Sequence, residues 1–169
     1  METKKPLPGQ GIDMNTKAVI THIVDWLTRY LDKSGLNGFV VGVSGGIDSA
    51  VTSTLCAKTG KAVAVLNMPI FQAADQVSRS SRHIEWLTSK YGNVSGSLVE
   101  LTPAFEQIQY CLPETVQDSL TLANTRSRLR MLTLYAFASS KKMLVAGTGN
   151  KVEDFGVGFY TKYGDGGVD

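Results

Sequence analysis

Residues 44–49, Ser-Gly-Gly-Ile-Asp-Ser, place two glycines, two hydroxyls and one carboxylate between an apolar run and a helical segment. A strand that turns through such glycines into a helix gathers backbone N–H groups and the positive end of a helix dipole at one point, which suits a phosphate. The Walker A pattern fails, because counting from Gly42 puts Asp48 where its lysine belongs. The dinucleotide GxGxxG pattern fails as well, on the spacing of Gly42, Gly45 and Gly46. A carboxylate inside a phosphate loop repels its ligand unless a cation lies between them, and Mg²⁺ takes one or two protein carboxylates together with phosphate oxygens. Asp48 is thus a candidate magnesium ligand, with Ser44 and Ser49 as hydroxyl donors to phosphate. The plainer alternative is a capped turn in which Asp48 only complements the helix dipole.

The last 23 residues, GTGNKVEDFGVGFYTKYGDGGVD, carry the second set of chemical groups. Thr148 directly follows the apolar run 143–147, and Glu153, five residues on, can supply a second carboxylate to the same metal. FYTKYGDGGVD mixes aromatics, one lysine, two aspartates and three glycines and is too irregular for a helix; a surface loop could have the same composition. Upstream, Arg126, Arg128 and Arg130 alternate along a helical segment, so they cannot all face one ligand, and at least one is expected to be a solvated charge.

The elements that must position these groups alternate regularly. Ile20, Ile23, Val24, Leu27 and Leu31 recur at helical steps, and Ser34-Gly35 closes that first helix. Strands are expected at 38–43, 61–68, 97–101 and 143–147, with helices at 47–58, 72–90 and about 115–140 between them. This is an α/β pattern of βαβ units: a largely parallel, Rossmann-like sheet with helices on both faces. Such sheets bind ligands beyond the carboxyl ends of their strands, so 43–49, 67–72, 101–103 and 147–153 are the expected ligand-facing segments.

Length and composition set the outer bounds. The 169 residues suit one domain, read as 14–169 after a flexible leader at 1–13 that holds Pro6, Pro8, Gly9 and Gly11. Lys+Arg 17 against Asp+Glu 15 is too balanced for a dedicated nucleic-acid or membrane surface. Cys56 and Cys111 lack a CxxC spacing and read as reduced thiols, and no apolar stretch reaches signal-peptide or membrane-span length, so a cytoplasmic protein is expected. His22 and His83 read as surface or packing residues.

SGGIDS resembles the pyrophosphate loop of the N-type ATP pyrophosphatases, which adenylate a substrate oxygen, expel pyrophosphate and let a nitrogen or sulfur nucleophile displace AMP. The loop alone does not choose among them. GTGNK with Glu153, FYTKYGDGGVD, NTRSRLRM (124–131) and NMP (67–69) together resemble the ammonia-dependent NAD synthetase family, from about residue 39 to 169. The resemblance implies an adenine nucleotide alpha hydrolase-like fold and a ligase. That ligase amidates deamido-NAD with ammonia at the expense of ATP, giving NAD⁺, AMP and pyrophosphate through an NAD-adenylate, the last step of NAD biosynthesis. Carried over residue by residue, it assigns the ATP phosphates to Gly42, Val43, Ser44, Gly45, Gly46, Ile47, Asp48 and Ser49, with Thr148 as a further ATP contact. Mg²⁺ falls to Asp48 and Glu153, and deamido-NAD to Arg128, Lys162 and Asp169, with Asn124 and Asp165 in second rank. The resemblance also implies a homodimer, for which 103–140 is a candidate contact. One residue more than in some family members separates Glu153 from TKYGDGG, which leaves Asp154 and Gly156 without assigned equivalents. Family members continue well past GGxD, so the chain reads as lacking their C-terminal part. A GMP synthetase-like pyrophosphatase and a nucleotide-binding fragment without turnover remain the alternatives.

Overall fold

The computed structural model describes residues 14–158 and 160–169; the expected leader at 1–13 lies outside them. The chain runs α1 (Thr16–Ser34), β1 (Gly38–Gly42), α2 (Ile47–Lys58), β2 (Ala62–Asn67), α3 (Ala74–Lys90), β3 (Val94–Leu98), α4 (Thr102–Cys111), α5 (Ser119–Lys141) and β4 (Leu144–Val145). A 3₁₀ turn, Glu114–Val116, precedes α5, and a π-helical turn, Val152–Val157, follows β4. Each strand runs parallel to its neighbours in a sheet of order β3-β2-β1-β4.

Both faces of the sheet are covered, and the strand period explains how. Phe39 and Val41 of β1 and Val63 and Val65 of β2 point to one side, where they meet Leu31 of α1, Cys56 and Ala57 of α2 and Leu87 of α3. The alternate residues Val40, Ala64 and Leu66 meet Phe105 of α4 and Met131, Leu134 and Ala138 of α5. Strands buried on both faces read as continuous apolar runs, which is how β1 and β2 stand out in the sequence.

Three expectations need correction. The third strand is Val94–Leu98, not 97–101: it is an edge strand paired from Val63↔Val94 to Asn67↔Leu98, and most of its residues are exposed. Its polar V-S-G-S-L gives no apolar signal, whereas the more apolar residues just after it mislead, because Leu101 is buried at the start of α4. Helix α4 itself was not foreseen, although Pro103 sits in its first turn, a position proline favours. Finally, the expected helix at 115–140 begins at Ser119, where the Asp118 carboxylate accepts hydrogen bonds from Leu120 N and Thr121 N and caps it.

Candidate functional site

The strand order decides where a site can form. From β1 the chain moves outward through β2 to β3, then crosses back to place β4 on the other side of β1. The crevice of such a fold opens where the order reverses, beyond the carboxyl ends of β1 and β4. A cavity of about 240 Å³ lies there, lined by Gly42, Val43 and Ser44, by Met68 and Gln72 after β2, by four residues of α5, and by Ala146, Gly147, Thr148, Asp165 and Val168. Residues 101–103, expected at the ligand, do not line it; β3 lies on the far side of β2, and Thr102 instead uses its hydroxyl to accept the Phe71 N–H at 3.2 Å.

The 44–49 loop is held by its own hydroxyls. Ser49, only 2% exposed, donates to the Gly46 carbonyl at 3.0 Å and accepts the Ser44 N–H at 3.2 Å. Ser44 Oγ lies 3.2 Å from Ser49 Oγ and accepts the Gly46 N–H at 3.2 Å. Because Ser49 commits its one proton to Gly46, Ser44 is the donor of the pair. Ser49 therefore braces the loop, while Ser44 faces the cavity. Gly45 has φ +85°, and a Cβ there would lie 2.9 Å from Gln76 O, so the loop also presses on α3. Gly46 provides no side-chain cap, which leaves the N–H groups of the first turn of α2 for a ligand. Val43 is buried and Ile47 is 74% exposed, so these two contribute backbone rather than side chain to an anion site.

Asp48 and the 147–157 segment meet through Asn150. The Asn150 amide nitrogen donates to Asp48 Oδ2 at 3.3 Å, and its oxygen accepts Val152 N and Glu153 N, both at 3.0 Å. One side chain thereby ties the carboxylate of Asp48 to the start of the turn that carries Glu153. Among the described residues no three His, Cys, Asp or Glu side chains group as a metal cage. Mg²⁺ needs only one or two protein carboxylates, with substrate oxygens and water completing the shell, so the chemistry of a carboxylate such as Asp48 suits that ion.

The residues expected to bind a dinucleotide have a second task, which is to seat the final loop on α5. Asn124 Oδ1 accepts the Thr161 hydroxyl at 2.8 Å. Asp165 Oδ1 accepts Ser127 Oγ and Thr161 N, both at 2.9 Å, and Asp165 N donates back to Ser127 Oγ at 3.1 Å. Arg128 Nε donates to the Lys162 carbonyl at 3.0 Å, while the Lys162 ammonium lies 5.0 Å from the Tyr163 ring. Gly164 is buried because its missing Cβ makes room for Ser127. Asp169 accepts the Tyr135 hydroxyl at 3.2 Å and Val145 N at 2.9 Å, so it covers the free edge of β4. Tyr135 in turn has its pKa raised, by burial first and by the Asp169 charge and hydrogen bond after it.

The three arginines divide as helical geometry requires, yet none is left to solvent alone. Arg126 stands 5.4 Å from the Phe105 ring, Arg128 holds the final loop, and Arg130 donates to the Met68 carbonyl at 3.0 Å while lining the cavity. Burial, with the nearby Arg126 charge, pushes the Arg130 pKa down. Arg130, Ser127, Gln72 and Asn150 received no individual role from the sequence, although Gln72 and Asn150 lie in the segments 67–72 and 147–153 expected to face a ligand. Ser127 carried a usable signal, since it stands one turn from Asn124 on the face that meets the final loop.

The match to the NAD synthase family model runs over residues 19–169. The chain belongs to the NAD synthase family. It is 37% identical over 161 residues to the NH(3)-dependent NAD(+) synthetase of Methanosarcina acetivorans, covering 92% of this chain and 60% of that protein. The corresponding protein of Sulfolobus acidocaldarius is 36% identical over 164 residues, covering 95% of this chain and 56% of its own length. Among solved structures, the NMN synthetase from Francisella tularensis superposes with a TM-score of 0.84 at 33% identity, over 93% of this chain and 63% of that one. The NH3-dependent NAD synthetase from Campylobacter jejuni gives 0.82 at 29% identity, over 92% and 65%. The chain thus spans somewhat over half the length of its curated NAD synthase relatives.

Proposed function

We propose that the crevice beyond β1 and β4 splits ATP to AMP and pyrophosphate in order to amidate deamido-NAD with ammonia, giving NAD⁺. The observation that carries this reading is the convergence of three segments on one cavity, through Ser44 of the glycine loop, Thr148 after β4, and Asp165 and Val168 of the final loop, with the Asn150–Asp48 hydrogen bond tying the first two segments together. The first-turn N–H groups of α2 would hold the pyrophosphate end of ATP, with the Ser44 hydroxyl beside them. Asp48 and Glu153 would hold Mg²⁺, which when bound neutralises charge on the departing pyrophosphate. Thr148 lines the cavity and is suited to contact ATP. Arg128, Lys162, Asn124, Asp165 and Asp169 would shape the dinucleotide side by holding the final loop in place. The nicotinate carboxylate would then attack the α-phosphate, and ammonia would displace AMP from the resulting adenylate.

The same reading includes a homodimer through α4 and α5, where Leu132 and Tyr110 stay exposed at 67% and 86%. It also includes a cytoplasmic setting, in keeping with the free thiols Cys56 and Cys111. No helix among the described residues is long and apolar enough to cross a membrane.

Asp48→Asn tests the chemistry, because it removes a carboxylate charge at constant shape. Pyrophosphate release from ATP with deamido-NAD and ammonia should fall at least about 100-fold, with the circular dichroism unchanged. Retained turnover would remove the metal role. A second reading, a nucleotide-binding unit without turnover, draws on the uncapped first-turn N–H groups of α2, which can hold a phosphate without any chemistry. Calorimetric binding of ATP by the unaltered chain, without pyrophosphate release, would select it. Since one structural neighbour is named an NMN synthetase, nicotinate mononucleotide belongs in the same assay as the competing acceptor.

A further inference from the structure

Behind the 44–49 loop, on the side away from the cavity, a polar pair lies between α2 and α3. Ser53 is fully buried at 0% exposure, and its hydroxyl is 2.9 Å from His83 Nε2. The Ser53 hydroxyl also lies 2.7 Å from the Ser49 carbonyl and 3.2 Å from that of Ala50. The Ser49 carbonyl is the nearer partner and can only accept, so we assign the Ser53 proton to it and the hydrogen of the imidazole contact to His83 Nε2. The direction continues along the chain: the Ser49–Ala50 peptide that receives the Ser53 proton donates through Ala50 N to the Gly46 carbonyl at 3.2 Å. Ser49 Oγ donates to that same carbonyl at 3.0 Å. Every donor from the imidazole onward therefore points toward the glycine loop, an ordering in which each bond polarises the next. One and two turns before His83 on α3, Arg79 and Gln76 lie directly under Gly45, so the helix that carries His83 is also the floor of the loop.

We propose that His83 is a positioning residue: through Ser53 it fixes the first turn of α2, so that its free N–H groups meet the phosphate end of the nucleotide at a set angle. This rests on the reading of the 44–49 loop as a phosphate site. A mid-helix serine bonded only to the preceding turn tends to bend its helix, and an outside donor on its oxygen holds that bend in one state. The stack of His83 on Trp86, with ring centroids 5.6 Å apart, keeps the imidazole in place without adding a second polar partner.

The test compares His83→Phe, which keeps a ring on Trp86 but loses the donor, with His83→Gln, whose amide can restore it. Binding of Mg-ATP and of adenosine is measured by calorimetry, and amide hydrogen exchange is followed over residues 46–53. His83→Phe should weaken Mg-ATP about threefold to tenfold, as expected for one lost hydrogen bond, leave adenosine unchanged and speed exchange in the first turn of α2. His83→Gln should recover both. Equal behaviour of the Phe variant and the unaltered chain, a parallel loss of adenosine binding, or failure of Gln to rescue would overturn the proposal. If the unaltered chain binds no Mg-ATP, the reading of the loop fails, and the exchange rates alone decide whether the strut exists.

Discussion

At the scale of single residues, the site shows how one side chain can serve geometry and chemistry together. Asn150 takes no charge, yet it connects Asp48 to the turn that carries Glu153 by using both ends of its amide. Asp48 could be picked out in the sequence because a carboxylate among glycines and hydroxyls at a strand-to-helix turn demands an explanation; for Asn150 only its segment, 147–153, could be marked, because a polar amide in a loop demands none. His83 is a similar case, reading as a packing residue until its partner is known. Its burial lowers its pKa below the ordinary 6.5, so the folded protein keeps it neutral where the unfolded chain binds a proton. The sign follows: its contribution to stability is present above about pH 6.5 and is lost as pH falls below that value toward the folded pKa. Melting temperatures measured at about pH 7.5 and about pH 5.5 should therefore differ less in His83→Phe than in the unaltered protein. Cys56 needs no such test of function, for burial pushes its thiol up to about 12 and leaves it unreactive.

At the scale of elements, the glycine loop works because α3 supports it from below. Gly45 combines φ +85° with a Cβ position 2.9 Å from Gln76 O and 3.4 Å from Arg79 Cβ. Gly45→Ala should cost about 1–3 kcal/mol in stability by urea unfolding, from strain and crowding together, and should lower ATP affinity as the loop shifts off α3. An unchanged unfolding midpoint would mean that the loop relaxes freely and is not seated as described. Legibility at this scale follows burial. Helix α2 and strands β1 and β2 were readable within a residue, since each buries apolar side chains at its own period. Strand β3 and helix α4 were not, because an edge strand needs few apolar residues and its identity comes from hydrogen bonds to β2.

At the scale of the whole molecule, the two layers of helices have different duties. The layer of α1, α2 and α3 braces the glycine loop at 44–49, and the layer of α4 and α5 carries the final loop and presents exposed apolar side chains. Under the proposed dimer, Leu132→Glu should give a monomer by light scattering at micromolar concentration, with unchanged circular dichroism, because a charge within an apolar contact opposes burial. A monomeric unaltered chain would remove the proposed interface.

The sequence by itself determined the α/β class, the glycine loop with its odd carboxylate between a strand and a helix, and, through TKYGDGG, the family. These are local matters of periodicity, turn chemistry and short motifs, and each is contained in a run of neighbouring residues. Only the tertiary structure decided that the crevice lies between β1 and β4 rather than at the end of β3, that Asn124, Ser127 and Arg128 hold the final loop, and that His83 stands behind Ser53. Those facts depend on strand order and on hydrogen bonds between residues 30 or more positions apart, and no local pattern encodes the direction in which a crossover carries the chain.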